Sequence, residues 1–363
     1  MPTLKTPLCD LLGIELPIIQ APMAGGLTPP ELVAAVSESG ALGSFGFAYT
    51  QPETMHGEVE RARTRTKRPI NINLFASQDA PPVDSVQQRG AIEALKPYYE
   101  ELGLKVPESA RPPFSPDRRG QLDAAEALEP GVFTFHLGEF PAERLRSMQA
   151  RGIKIGGSAT CVAEAQKLES LGVDFIIAQG AEAGGHRGTY LRDPYDSMTG
   201  TLALVRLIVS AVRVPVVAAG GIMDGAGIAA ALALGAQAAQ VGTAFIACAE
   251  SGAAPVYKAA VLAAREDETL ITEKFSGKPA RGLANRFMRE MNGCDAPQLP
   301  FPVQNQLTGP LRAAAAKAGN ADFIAMWAGQ GVALARELPA AELVRTLRDE
   351  TLDAIDRLAR FRR

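Results

Sequence analysis

The sequence predicts an α/β chain folded as a (β/α)8 barrel of TIM type, with an additional mostly helical cap. Three observations predict it. Short apolar runs rich in Val, Ile and Phe recur along the chain, several apolar throughout, as parallel strands buried on both faces must be. Each run is followed by Gly-rich punctuation and then by a helical pattern, eight times over. No G-x-G-x-x-G fingerprint of an open dinucleotide-binding sheet follows any of them.

The expected strands are 17–21, 41–45, 70–75, 132–137, 154–158, 174–179, 214–219 and 239–244. Helices separate them. One over 29–39 follows Thr28, with proline in its first turn. Another over 162–171 follows Thr160 and stops at Gly172. A third over 225–234 follows Asp224 and stops at Gly235, the glycine that ends a helix in the left-handed conformation. The unit "helix, L-G-x-D/Q, strand" occurs at Leu171–Asp174 and again at Leu234–Gln237.

Two stretches depart from this rhythm. Residues 76–130 form a Pro-rich excursion (SQDAPP, KPYYEELG, SARPPFSPDRRG) long enough to have a function of its own. Residues 265–363 read as helices, the last with apolar residues at three- and four-residue spacing. The expected organisation is therefore a barrel over 1–264 with an insertion at about 76–130. A helical region, 265–363, packs on it and helps form the substrate site.

Composition narrows the function classes. With 47% hydrophobic and 21% charged residues the chain can bury a large core. Its 37 Lys and Arg against 40 Asp and Glu, a net charge of −3, leave no electrostatic footprint for nucleic acid or an anionic membrane. No run of 18 apolar residues and no secretory signal pattern is seen. The four cysteines form no C-x-x-C, and with three histidines no zinc-ligand spacing arises. These features point to a cytoplasmic protein, monomer or homodimer, acting on a small molecule without a metal.

In such a barrel chemistry collects where the strands end. The first strand leads into QAPMAGG at 20–26, the third contributes Asn71 and Asn73, and the fifth leads into GGSAT at 156–160. The sixth ends in QGAEAGGHRG at 179–188, the seventh in Gly220-Gly221, and the eighth carries Gln240-Val241-Gly242-Thr243. Glycines after the seventh and eighth strands, beside the start of the 225–234 helix, offer bare N–H groups and a helix dipole to a phosphate. They also serve simply as tight turns. Gln20, Asn73, Gln179 and Gln240 are amides at the barrel mouth that need partners, which the edge of a flavin ring supplies. Met23 offers an apolar surface to one face of that ring.

His186, between glycines with Glu182 and Arg187 nearby, is the candidate proton acceptor. His136 ends the fourth strand in a supporting or packing role, and His56 reads as a solvated helical residue. Cys161 and Cys248 read as small buried apolar residues.

APMAGG, QGAEAGGHRG, AAGGI and QVGT, together with QNQLT at 304–308 and WAGQ at 327–330, resemble the nitronate monooxygenases, formerly called 2-nitropropane dioxygenases. The resemblance spans most of the chain. It implies an FMN-dependent barrel that oxidises alkyl nitronates, such as propionate 3-nitronate, with O2 through a flavin semiquinone, releasing nitrite and a carbonyl product. It implies His186 as the catalytic residue. It places FMN among Ala21, Pro22, Met23, Ala24, Asn71 or Asn73, Gln179, Gly184, Gly185, Gly220, Gly221, Gln240, Val241, Gly242 and Thr243. Where the family often has an aromatic hydroxyl before the tail Q-N, this chain has Phe301.

Three alternatives remain at this point. One is an NAD(P)H-dependent quinone or enoyl-thioester reductase on the same barrel. Another is a flavin-free barrel acting on a phosphorylated metabolite, against which no strand-end lysine stands out as a Schiff-base former. The third is a catalytically idle ligand-binding barrel.

Overall fold

The structure, a computed structural model, describes residues 4–77 and 80–362. Its strands in chain order are β1 Ile18–Gln20, β2 Gly43–Gly46, β3 Ile70–Phe75, β4 Val132–His136, β5 Lys154–Ala159, β6 Phe175–Gln179, β7 Gly185–His186, β8 Val216–Ala219, β9 Ala238–Val241, β10 Thr269–Thr272 and β11 Ala280–Leu283. Eight of these form one parallel sheet in the order β1-β9-β8-β6-β5-β4-β3-β2. A parallel bridge between Ile19 and Leu42 joins its two ends, so the sheet closes into a barrel. Each barrel strand falls within or beside one of the eight expected runs. The seventh starts late, at Val216, because Pro215 has no N–H to give the ladder.

The barrel interior is filled from below. Leu8, Cys9 and Leu12 of the short helix Pro7–Leu12 pack with the inward residues Ile19, Val132, Phe175, Ile177 and Val217. Thr6 Oγ1 donates to the Gln237 carbonyl at 2.7 Å, which ties this plug to the start of β9. Inside, Gly156 makes room for Phe175, since a Cβ there would lie 2.3 Å from its ring. With the N-terminal end plugged, ligand access is confined to the C-terminal ends of the strands.

Outside the sheet, helices Pro30–Glu38, Pro52–Arg63, Arg118–Ala127, Ala142–Ala150, Val162–Leu171, Thr201–Ala211 and Gly225–Ala233 follow successive barrel strands. Two expectations are corrected here. The insertion does not extend to 130: Arg118–Ala127 packs on Pro52–Arg63 and β3, and its Leu122 and Ala125 belong to the main core, so it is the ring helix after β3. Nor is 265–363 a separate helical unit. Its last helix, Ala340–Ala359, packs on Gly225–Ala233 and Pro30–Glu38 and buries Leu343, Val344 and Leu347 in the main core. It fills the eighth place in the ring, and the segment before it carries the strands β10 and β11.

What lies over the barrel mouth is a second core drawn from two parts of the chain. Helix Ser85–Glu101 of the insertion packs on Val303–Ala318, where Tyr99 Oη donates to the Leu307 carbonyl at 2.5 Å. Tyr98, Phe275, Phe287, Phe323 and Met326 fill the space between. Gln78 and Asp79 of the insertion lie outside the described residues. Among the described residues no helix is long and apolar enough to cross a membrane.

Candidate active site

Between the barrel mouth and this second core lies a cavity of about 170 Å³, measured as space open to the centre of a water molecule. Ala21 to Ala24 after β1, Asn73 of β3, Gln179 of β6 and Gly184 to His186 form one part of its wall. Gly220 and Gly221 after β8, with Gln240, Gly242 and Thr243 on and after β9, form another, and Trp327, Gly329 and Gly331 close it from above. The residues among which the resemblance places FMN therefore converge on one cavity, with two exceptions. Asn71 lies a layer deeper than Asn73. It is fully buried, and its Nδ2 donates to Ser44 Oγ at 3.1 Å and Thr134 Oγ1 at 2.9 Å. Val241 points the other way on its strand, into the core between sheet and helices, as the period of two requires.

The four amides fare differently. Gln20 is fully buried, accepting from the Ser44 N–H at 2.8 Å and donating to the Ala21 carbonyl. Gln179 is engaged at both ends: Nε2 donates to the His186 carbonyl at 2.9 Å and Oε1 accepts from the Gly188 N–H at 2.8 Å. It shapes the segment that carries the histidine, and it also lines the cavity. Asn73 Nδ2 donates to Thr134 Oγ1 at 2.9 Å. Gln240 alone of the four keeps a buried oxygen, Oε1, without any partner.

Gly220 and Gly221 turn the chain in left-handed conformations, φ +119° and +70°, that side chains rarely adopt. Thr243 Oγ1 accepts from the Gly329 N–H at 3.0 Å, joining the β9 turn to the cap. The start of the helix after β8 is partly closed within the protein: the Gly225 N–H donates to Glu350 Oε2 at 3.0 Å and the Gly227 N–H to Asp224 Oδ1 at 2.8 Å. The Glu350 carboxylate comes from the last helix, about 125 residues away in sequence.

His186 stands on β7, a two-residue strand, rather than on a free loop. β11 pins it, pairing Ala280 with His186 and Arg281 with Gly185. Its ring sits among Phe75, Phe301 and Trp327, each with centroids 5.7 Å away. Nε2 lies 2.9 Å from Ser276 Oγ. Burial, and then the neighbouring basic groups His136, Lys278 and Arg312, push its pKa down to about 3, so the imidazole is neutral at pH 7. His136 lines the same cavity, donates from Nε2 to the His186 carbonyl at 3.1 Å, and is pushed down to about 4, again chiefly by burial.

The neighbours expected for His186 turn elsewhere. Glu182 accepts from the Thr201 N–H at 2.8 Å and from Thr201 Oγ1 at 2.8 Å, closing the start of helix Thr201–Ala211. Arg187 is buried and donates to the carbonyls of Gln179 and Ser197. His56 is exposed and Cys248 buried, as read; Cys161 is partly exposed. Sequence reading missed Tyr49, Phe75 and Ser276. Phe75 ends an expected strand and was open to the same reasoning, and Tyr49 follows the second strand. Ser276, 90 residues from His186, carries no local signal at all.

With this geometry in hand, the relatives agree over nearly the whole chain. The nitronate monooxygenase of Pseudomonas aeruginosa PAO1 is 44% identical over 343 residues, covering 94% of this chain and 97% of that protein. The nitronate monooxygenase of Paraburkholderia phytofirmans PsJN is 42% identical, covering 98% of each. The crystal structure of nitroalkane oxidase from Streptomyces ansochromogenes superposes with a TM-score of 0.88 at 40% identity, covering 97% of this chain and 99% of that one. The sequence profile of the nitronate monooxygenase family matches residues 5–350. A closed barrel with a neutral histidine in its capped mouth, in a chain alike to these enzymes from end to end, makes this protein an oxidoreductase belonging to the nitronate monooxygenase family.

Proposed function

We propose that this chain binds FMN in the capped mouth and oxidises alkyl nitronates, propionate 3-nitronate among them, with O2, releasing nitrite and a carbonyl product. One observation carries the reading. A single cavity brings together the glycine turns at 220–221 and 242, the unpartnered Gln240 Oε1, and neutral His186. The residues suit the cofactor. N–H groups of Gly220, Gly221 and Gly242 and the Thr243 hydroxyl would hold its phosphate. Ala21 to Ala24 would lie along one face of the ring, with Gln240 and Asn73 at its polar edge. Gly184 and Gly185 would keep the opposite side open for substrate. Bound there, FMN would supply the electron acceptor that carries reducing equivalents from nitronate to O2.

The rest of the chemistry belongs to the protein. The Phe75, Phe301 and Trp327 rings exclude water around His186. Neutral imidazole takes the α-proton of a nitroalkane, and a preformed nitronate, already without that proton, needs no base. Burial keeps His186 unprotonated well below pH 7, so the imidazole is neutral across the physiological range.

An anaerobic visible spectrum of the purified protein, before and after propionate 3-nitronate and without any nicotinamide, tests the reading. A yellow protein whose flavin band changes on addition supports it. A yellow protein that ignores nitronate but consumes NAD(P)H replaces it with the reductase. A colourless protein that FMN cannot reconstitute refutes the flavin itself.

A further inference from the structure

We propose that Ser276 is a positioning residue that holds His186 in its Nε2–H tautomer and so makes Nδ1 the proton acceptor; this rests on reading His186 as the group that handles the substrate proton. The argument is an inventory of protons. Ser276 lies in the turn between β10 and β11, 1% exposed, and its hydroxyl has a single hydrogen. The Lys278 carbonyl, which can only accept, lies 3.1 Å from Oγ and is satisfied if it takes that hydrogen, while the Lys278 N–H approaches Oγ at 3.4 Å. Oγ is therefore an acceptor towards the imidazole, and the Nε2 that lies 2.9 Å from it must carry hydrogen.

The opposite tautomer breaks this arrangement. If the serine hydroxyl donated to Nε2, the Lys278 carbonyl would lose its donor. The ring is not free to adjust. The His186 carbonyl accepts from both Gln179 Nε2 and His136 Nε2, and its backbone is paired to Ala280. The β10–β11 hairpin thus acts twice, β11 fixing the backbone of the histidine and Ser276 fixing its ring. When Nδ1 takes a proton, Oγ already sits where the resulting cation needs an acceptor, and the Ser276–Lys278 hydrogen bond passes that polarisation to a carbonyl.

The test uses the chain's three histidines, labelled with 15N in the full-length protein and resolved by long-range proton–nitrogen correlation. His186→Asn and His136→Asn assign the signals. Wild type is expected to show His186 as Nε2–H alone, Ser276→Ala a mixture or the Nδ1–H form, and Ser276→Thr the wild-type form again. In parallel, Ser276→Ala should lower kcat/KM for a neutral nitroalkane about tenfold, the scale of one hydrogen bond, and for a preformed nitronate much less. A wild-type Nδ1–H tautomer, or a tautomer unchanged in Ser276→Ala, overturns the proposal. The wild-type spectrum decides the first point even if the alanine variant does not fold. A tautomer that switches while both substrates keep their rates instead overturns the reading of His186 as base and leaves the tautomer assignment standing.

Discussion

Gln240 gives a perturbation whose two effects have opposite signs. Its Oε1 is buried in the cavity wall with no hydrogen-bond partner, so the protein without ligand carries the desolvation cost of that acceptor. Gln240→Met keeps length and volume and removes the amide. Relief of one buried unsatisfied acceptor amounts to about 1–3 kcal/mol. Unfolding a chain of 363 residues carries an entropy of about 0.76 kcal/mol/K, so the apoprotein should melt roughly 1–4 °C higher. The same change removes a hydrogen bond to the flavin edge, a net ~0.5–1.5 kcal/mol, which weakens FMN about two- to tenfold. Thermal melts of the flavin-stripped protein and titration of FMN fluorescence quenching measure the two quantities separately. An apoprotein that melts lower, together with unchanged FMN affinity, would refute the placement of Gln240 at the ring edge and with it the use made of its empty oxygen.

Two further outcomes are expected. Glu350→Ala removes the carboxylate that caps Gly225 and pairs with Arg336, unlatching the last helix from the barrel; a loss of about 1–2 kcal/mol should appear as a lower urea midpoint. Acid sensitivity follows from the two buried histidines. Both have folded pKa values below the ordinary 6.5, about 4 for His136 and about 3 for His186, so above 6.5 neither makes stability depend on pH. As pH falls below 6.5 the unfolded chain takes protons the folded one declines, and stability drops until the folded values are reached. Between pH 7 and 5 that is about 2 kcal/mol per histidine. Urea midpoints at the two pH values check it; His136→Gln should remove its share of the slope, and an unchanged slope would show that burial of His136 is not its cause.

The parts of the fold legible in the sequence are those that local physics dictates. Runs such as ININLF are apolar on both faces because both faces are covered, and β3 occupies the expected residues 70–75. Helix Val162–Leu171 has its expected bounds because Gly172, at φ +90°, ends it in a conformation that only glycine takes readily. Most of the candidate site was legible for the same reason: strand ends in a barrel share one mouth, so Met23, Asn73, Gly184, His186, Gly221 and Gln240 had to meet. What misled was long-range. Nothing near residue 340 says that this helix completes the ring, since an apolar stripe fits a cap or a barrel equally well. The β10 run TLIT was overlooked because it pairs only with β11, whose other neighbour, β7, is two residues long and lies far back in the sequence.

The sequence by itself determined the barrel, its rhythm and the family, because periodicity, turn chemistry and residue type are local properties written in order along the chain. Only the tertiary structure decided which amide is left unpartnered, that the helix start after β8 is partly closed by Glu350, and that Ser276 meets His186 across 90 residues. Those are questions of which polar group satisfies which, and a buried donor or acceptor takes its partner from whatever the fold brings within 3 Å, at any distance in sequence.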